Sequence, residues 1–295
     1  YARGRGVEPG LLREAVAGPP AEPYRVVVPV ANPETQHGLL RLAAATAHAN
    51  ADRGTPELVA VNVIEGPADA ALQNVEPERL DHQRELFAHA HDIAAAEDVH
   101  LRTRSVVAPD VGTAVLDAVD DEEAAQLLLG WDGAVGEDDA TFGHVIDPII
   151  ERATCDVSLV RLAGDEVGTP VALVAPGENA PVVARRAAEF ATVDDATPTL
   201  LNVQSGREGD AEAEETGRAV VEEIAVEAGL DPDEYETRVL VGEDVEAALL
   251  DEIGEYDTVC IGLSGRVDGE GVVYGRVTEH IAREAPGTVA LIRGG

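Results

Sequence analysis

The 295-residue sequence contains no lysine and no methionine, and it has only two cysteines and one tryptophan. Its 21 basic side chains are therefore all arginine, and they face 57 acidic ones, which gives a formal net charge of −36. DNA or RNA is not an expected partner, because binding to phosphate backbones needs basic patches. No run of about 18 apolar residues occurs, so no membrane-spanning helix is expected within the sequence.

The acidic residues are spread along the whole chain and are not confined to a tail. Hydrophobic residues make up 45% of the chain, which is enough to build a core. At molar salt the Debye length falls to about 3 Å, and repulsion between surface carboxylates is then screened. We therefore predict a surface adapted to high salt and an extreme halophile as the source. The alternative is an acidic protein that binds basic partners.

The sequence repeats one pattern of elements twice. YRVVVPVANP (24–33) and TPVALVAPGEN (169–179) open the copies as valine-rich runs, typical of strands covered on both faces. Each is followed by an alanine-rich helical pattern and then by matching runs, TPELVAVNV (55–63) and TPTLLNV (197–203). The segment LAGDEVG (162–168) separates the copies. The predicted segments are a linker at 1–22, a first domain at 23–164 and a second domain at 165–295.

Strands and helices alternate through each copy, beginning and ending with a strand. Such alternation of apolar strands with helices predicts a mostly parallel sheet that carries helices on both faces. We therefore predict an α/β fold made of two tandem five-stranded sheets.

A glycine-rich loop lies between the fourth strand and the following helical pattern of each copy. Loops of this kind often hold phosphate through backbone N–H groups at the start of a helix. The alternative is a turn that needs glycine for positive φ and for close approach of helix and strand. The spacing G-x2-G-x9-G is formed by Gly130, Gly133 and Gly143 in the first copy and by Gly262, Gly265 and Gly275 in the second.

With these features the chain resembles a tandem universal stress protein over about residues 21–295. The resemblance is carried by VVVPVANP (26–33), by the glycine spacing, and by ERATCDVSLVR (151–161) with its second version EAPGTVALIR (284–293). It implies the fold shared with adenine nucleotide alpha hydrolases. It also implies that the two sheets pair through their last strands as an internal pseudo-dimer.

The ATP-binding branch of this family holds nucleotide between its first and fourth strands, where open α/β sheets generally bind ligands. There, the loop ends in glycine followed by Ser or Thr, and the first strand ends in Asp. Here His144 and Arg276 follow the last glycines, and Asn32 and Glu178 stand near the place of the Asp. The resemblance therefore implies ATP, AMP or another adenine nucleotide as the ligand, although both copies depart from the motif.

The two loops differ in charge, which favours the second copy as the site. Glu137, Asp138 and Asp139 would repel phosphate unless a cation bound there, whereas arginine can bind phosphate in a bidentate fork. The candidate residues of the second copy are Gly262, Gly265, Arg266, Gly275, Arg276 and Val277. Those of the first copy are Asn32, Gly130, Gly133, Gly143 and His144.

No arrangement of residues predicts catalysis or metal binding. His82 and His89 share a helix face without other ligands, so we interpret them as solvated. Ser264 lacks the G-x-S-x-G elbow and ordered partners. Cys155 and Cys260 lie in or beside apolar runs, which predicts buried free thiols. Trp131 and Tyr274 are either covers for a nucleobase or, more commonly for such rings, part of a rim or interface.

The first residues suggest a cellular context. YARGRGVEPGLLREAV (1–16) resembles the stretch after the last membrane helix of amino-acid permeases, which in halophilic archaea carry universal stress domains as a cytosolic tail. This implies a non-catalytic regulatory or ligand-sensing domain of a transporter for cationic amino acids, cut from a larger chain. Its partners would be the permease part of the same gene product and a second copy of the chain. The alternatives are a free-standing cytoplasmic tandem protein that binds ATP or AMP, and a purely structural scaffold.

Overall fold

The computed structural model describes residues 22–67, 76–133, 142–207, 209–263, 265–268, 271–274 and 276–295. The first copy consists of β1 (Pro23–Pro29), α1 (Pro33–Ala49), β2 (Thr55–Glu65), α2 (Pro77–Ala96), β3 (His100–Ala108), α3 (Val111–Asp121), β4 (Gln126–Gly130), α4 (Ile146–Arg152) and β5 (Asp156–Arg161).

The second copy repeats this order and adds a hairpin before its last helix. It consists of β6 (Pro170–Leu173), α5 (Ala180–Ala191), a 3-10 turn (Thr192–Asp194), β7 (Thr199–Ser205), α6 (Ala211–Ala228), β8 (Glu236–Gly242), α7 (Val245–Ile253), β9 (Thr258–Gly262), the hairpin strands β10 (Gly265–Asp268) and β11 (Gly271–Tyr274), α8 (Arg276–Glu284) and β12 (Thr288–Arg293).

The main sheet has ten strands in the order β3-β2-β1-β4-β5-β12-β9-β6-β7-β8. Within each half of five strands all pairs are parallel, and the two halves have the same internal order. This confirms the prediction of an α/β fold with two five-stranded, mostly parallel sheets.

The two halves meet where β5 pairs with β12 in antiparallel register, with Leu159 opposite Leu291. Each of these strands would otherwise be an edge with unpaired backbone N–H and C=O groups. Their pairing makes the sheet continuous across the two copies. The pseudo-dimer implied by the resemblance is thus built into one sheet.

Two apolar cores cover the two faces of this sheet. Helices α1, α2, α5 and α6 pack on one face, and α3, α4, α7 and α8 pack on the other. Strands such as β4, with Leu127 and Leu128 pointing to opposite cores, are apolar on both sides because both faces are covered. None of the helices in the described part of the chain is long and apolar enough to cross a bilayer.

Aspartate side chains start equivalent helices in the two copies. Asp110 Oδ1 accepts a hydrogen bond from Thr113 N at 2.7 Å before α3, and Asp244 Oδ1 accepts one from Ala247 N at 3.1 Å before α7. These bonds satisfy N–H groups that a helix leaves unpaired in its first turn. They fix where the two short helices begin beneath the sheet.

Helices α1 and α5 pack against each other through a buried polar cluster that joins the copies. Arg186 of α5 is fully buried, forms an ion pair with Glu189 and lies 3.5 Å from Asp156. From α1, Thr46 Oγ1 accepts a hydrogen bond from Arg186 Nη1 at 3.3 Å, and Asn50 Nδ2 donates to Glu189 Oε1 at 2.8 Å. Polar groups of the two copies are thus joined between the helices, although Arg186 Nε and Nη2 have no hydrogen-bond partner among the described residues.

A candidate ligand cavity at the strand crossover of the second copy

Strands β6 and β9 are adjacent in the second half-sheet, in the order β12-β9-β6-β7. The chain continues from β6 to β7 on one side of this pair and from β9 to β12 on the other side. A crevice opens between the carboxyl ends of strands at such a crossover point. A cavity of about 880 Å³ lies there in the second copy.

The walls of the cavity are mainly apolar. Leu173 and Ile261 contribute from the ends of β6 and β9, and Val245 and Leu249 contribute from α7. Val277, near the start of α8, completes this part of the lining. Apolar walls with few polar groups are the usual composition of a small-molecule site.

Asn179 holds the rim of the cavity together. Its Nδ2 donates to Leu263 O, just beyond β9, at 2.6 Å, and its Oδ1 accepts from Gly294 N, just beyond β12, at 2.9 Å. One amide thus joins the start of α5 to the ends of two strands. The amide therefore couples the positions of these three segments at the rim of the cavity.

In both copies an asparagine of the second strand holds the end of the first strand in the same way. The helix that follows the first strand, however, begins later in the second copy. Asn62 Nδ2 donates to Val30 O at 2.8 Å, and Asn202 Nδ2 donates to Val174 O at 2.7 Å. The loop from Val174 to α5 is nevertheless longer than the loop from Val30 to α1. The later start of α5 leaves room at the end of β6.

Charged groups from both copies surround the cavity. Arg152 and Glu151 come from α4 of the first copy, whereas Arg293 and Glu178 come from the second. Thr278 contributes the single hydroxyl group among the described lining residues. The arrangement can hold a ligand with an apolar body and an anionic group, since arginine binds anions through several N–H donors.

Three large apolar side chains are buried near the end of β4 in the first copy: Leu39, Trp131 and Phe142. Leu39 Cδ1 would lie 2.8 Å from a Cβ placed on Gly130. Trp131 and Phe142 are buried, with ring centroids 5.1 Å apart and planes at 86°. The nucleobase-covering role considered for Trp131 does not fit this burial, because an edge-to-face ring pair already fills its surroundings.

A carboxylate occupies the start of α4, near the glycine loop of the first copy. Asp147 Oδ1 accepts a hydrogen bond from Phe142 N at 2.9 Å. Helix starts attract negative charge, and here the protein supplies its own. This carboxylate disfavours phosphate at the same place.

The residues predicted for the second copy fall on three elements. Gly262 ends β9 and Val277 lies in α8, and both line the cavity. Gly265 and Arg266 lie in β10, which pairs with β11 as an antiparallel hairpin where the sequence suggests a loop. The remaining positions are Arg276, the first residue of α8, and Gly275, which lies outside the described residues.

The residues predicted for the first copy lie at the start of α1, at the end of β4 and between β4 and α4. Asn32 starts α1, where its Oδ1 accepts a hydrogen bond from Glu34 N at 2.9 Å. Gly133 and Gly143 have φ of 89° and 96°, so both need glycine for the turn. His144 is exposed just before the short helix α4. The acidic residues Glu137, Asp138 and Asp139 lie outside the described residues.

Four residues around the two crevices were not found by the sequence analysis. They are Asp147, Arg152, Asn179 and Arg293. The available signal was the arginine that ends the last strand of each copy, Arg161 and Arg293, in matching VSLVR and VALIR segments. The pairing of β5 with β12 brings side chains of the first copy to the cavity of the second copy, and this pairing cannot be derived from local sequence patterns.

Other candidate chemistry is not supported in the described part of the chain. His82 and His89 are exposed on α2. Burial raises the pKa of the Cys155 thiol and that of the Cys260 thiol to about 12 each, which favours the protonated form. No group of three or more His, Cys, Asp or Glu among the described residues is arranged to hold a metal ion. Ser264 lies outside the described residues.

Comparison with solved structures finds the same architecture in proteins of low sequence identity. A universal stress protein from Archaeoglobus fulgidus is 16% identical, with a TM-score of 0.59, and the match covers 93% of this chain and 97% of that one. The cytoplasmic domain of a prokaryotic cation chloride cotransporter is 10% identical, with a TM-score of 0.55 and coverage of 92% and 96%. No curated protein sequence matches the chain.

The sequence itself matches a family model twice, once in each half of the sheet. The model of the universal stress protein family matches residues 24–161 and again residues 171–293. These two ranges account for most of the chain and coincide with the two five-stranded halves. The chain therefore belongs to the universal stress protein family and carries two copies of the family domain in tandem.

Proposed function

We propose that the chain is a non-catalytic ligand-sensing domain whose second copy binds an adenine nucleotide between β6 and β9. The observation that carries this proposal is the cavity of about 880 Å³ at the crossover point, apolar inside and bordered by Arg152 and Arg293. The apolar walls suit a base and sugar, and the arginines suit a phosphate group.

The composition of the cavity supports binding without catalysis. Thr278 is the one hydroxyl group, and no histidine or cysteine occurs among the described lining residues. Catalysis by a nucleophile needs a hydroxyl or thiol with an adjacent general base. The carboxylates Glu151 and Glu178 lie at the rim without such a partner in the described lining.

We further propose that the domain regulates an amino-acid transporter for cationic substrates from the cytosolic side. Two features support this context: the permease-like segment 1–16, and the existence of the same fold as the cytoplasmic domain of a cation chloride cotransporter. A ligand would shift the transporter between its conformations only if it bound these conformations with different affinity. A free-standing nucleotide-binding protein and a pure scaffold are the competing functions.

Calorimetry on the full chain in molar KCl, with ATP, AMP and cyclic di-adenylate, tests the nucleotide site. Val245→Trp would fill the cavity from α7, and we expect it to weaken binding at least about tenfold. Val226→Trp is the matched control, because Val226 is an exposed valine of α6 on the other face of the sheet. Absence of heat with all three ligands would favour the scaffold.

The transporter context has its own test. Antibodies against the chain should find it in the salt-washed membrane fraction of the native cells, fused to a larger product. Recovery in the soluble fraction at about 31 kDa, close to the 30.8 kDa of the chain, would favour the free-standing protein.

A further inference from the structure

The cavity of the second copy includes residues of the first copy. Ile150, Glu151 and Arg152, the end of α4, line it together with β6, β9, α5 and α7. The reason is the antiparallel pairing of β5 with β12, which places Val157 opposite Arg293. The start of β5, and with it the end of α4, thereby lies beside the carboxyl ends of the strands of the second copy.

Arg293 fixes the chain that follows α4 against the cavity. Its Nη2 donates to Ala153 O at 2.7 Å and to Cys155 O at 3.2 Å, both in the first copy. Arg293 itself lines the cavity, so these bonds attach the first copy to the cavity wall. The position of Arg152, which directly precedes Ala153, is therefore defined relative to the cavity.

The charge of Arg152 is available for a ligand. Its side chain is exposed and makes no hydrogen bond or ion pair within the described ranges of the chain. The pKa of Asp110 in the first copy is lowered mainly by the hydrogen bond from Thr113 N and, to a smaller extent, by the charge of Arg152. The end of α8 carries the reverse order of charges, with Arg283 and Glu284 where α4 has Glu151 and Arg152. Arg283 donates to Glu279 at 2.9 Å and is thus already paired.

We propose that Arg152 of the first copy is an anion-binding residue of the cavity in the second copy, so that this site is complete only when the two copies are paired. The proposal rests on the proposed function, because it names the group that contacts the phosphate of the nucleotide. A ligand held by both copies stabilises their paired arrangement, and this stabilisation grows with the logarithm of its concentration once that exceeds the Kd. Binding in one copy is thereby linked to the contact between both copies.

The test compares ATP with adenosine, which has the same base and sugar but no phosphate. Calorimetry on the full chain in molar KCl should show Arg152→Ala binding ATP at least about tenfold more weakly than the unmodified protein. Adenosine should bind both proteins with the same affinity. The control Arg283→Ala, at the neighbouring position of α8, should leave both affinities within about twofold.

The outcomes separate this inference from the function on which it rests. Unchanged ATP affinity in Arg152→Ala would overturn the inference and leave the nucleotide site standing. Equal weakening of ATP and adenosine would also overturn it, because the arginine would then act on the shape of the cavity. Absence of binding of ATP and adenosine to the unmodified protein would overturn both proposals.

Discussion

Arg161 and Arg293 make the same contact in opposite directions across the boundary between the two copies. Arg161 at the end of β5 donates to Ala285 O at 2.6 Å, and Arg293 at the end of β12 donates to Ala153 O at 2.7 Å. Each arginine thus joins the last strand of its own copy to the loop before the last strand of the other. The two bonds are related by the pseudo-twofold axis between β5 and β12.

We expect Arg161→Ala to lower the free energy of unfolding by about 1–3 kcal/mol, because it removes a charged donor from a half-buried backbone carbonyl. Urea unfolding in molar KCl would measure this change. The control is Arg218→Ala on α6, where an exposed arginine pairs with Glu214 at 3.1 Å and the change should stay below about 0.5 kcal/mol. Equal losses for the two variants would show that the cross-copy bond contributes nothing to the pairing.

Because Arg186 and Glu189 form a buried pair, replacing one of them should destabilise the protein much more than replacing both. Arg186→Met should destabilise the protein by about 3–5 kcal/mol, since it leaves Glu189 as an uncompensated buried charge. The double variant Arg186→Met, Glu189→Leu should recover most of this loss. Equilibrium unfolding of both proteins tests it, and a double variant as unstable as the single one would contradict it.

Gly133 is predicted to be intolerant of a side chain. Its φ is 89°, and an added Cβ would lie 2.7 Å from Arg161 Cδ, so Gly133→Ala should cost about 1–2 kcal/mol of stability. Gly164→Ala is the matched control, because nothing lies within 4 Å of an added Cβ there. In thermal unfolding, the melting temperature of Gly164→Ala should equal or slightly exceed that of the unmodified protein. A neutral Gly133→Ala would show that the turn is built differently.

The two thiols should make stability depend on pH at the alkaline end. Burial raises the pKa of Cys155 and Cys260 to about 12, from an ordinary value of 9.0. The unfolded chain therefore loses these protons first as pH rises. The contribution of the two protonated thiols to the free energy of unfolding is complete below pH 9 and is lost progressively as pH rises toward 12.

Unfolding measured from pH 8 to 10.5 should show a steeper loss for the unmodified protein than for the double variant Cys155→Ala, Cys260→Ala. At pH 8 a thiol reagent should label neither cysteine in the folded state and both after unfolding. Rapid labelling of the folded protein would contradict the burial.

Much of the fold follows from local patterns in the sequence. The valine-rich runs at 24–33 and 169–179, the matching runs at 55–63 and 197–203 and the repeated order of elements are enough to predict two equivalent half-sheets. The hairpin of β10 and β11 was missed because the glycine- and acid-rich segment RVDGEGVVY is more typical of a loop.

The site was predicted less completely, because it depends on contacts between distant parts of the chain. The glycine spacing singles out Gly262, which lines the cavity at the end of β9, but Arg152 reaches the cavity only through the pairing of β5 with β12. The edge-to-face packing of Trp131 and Phe142 in the first copy also follows from no periodic pattern. Local periodicity predicts helices and strands, whereas the lining of a cavity depends on side-chain packing between distant segments.

A crystal structure of the full chain grown with ATP in molar KCl tests the central claim most directly. We expect density for the nucleotide between the carboxyl ends of β6 and β9, with its phosphates within about 3 Å of the Arg152 guanidinium. Nucleotide between β1 and β4 instead, or an empty cavity at saturating ATP, would contradict the account.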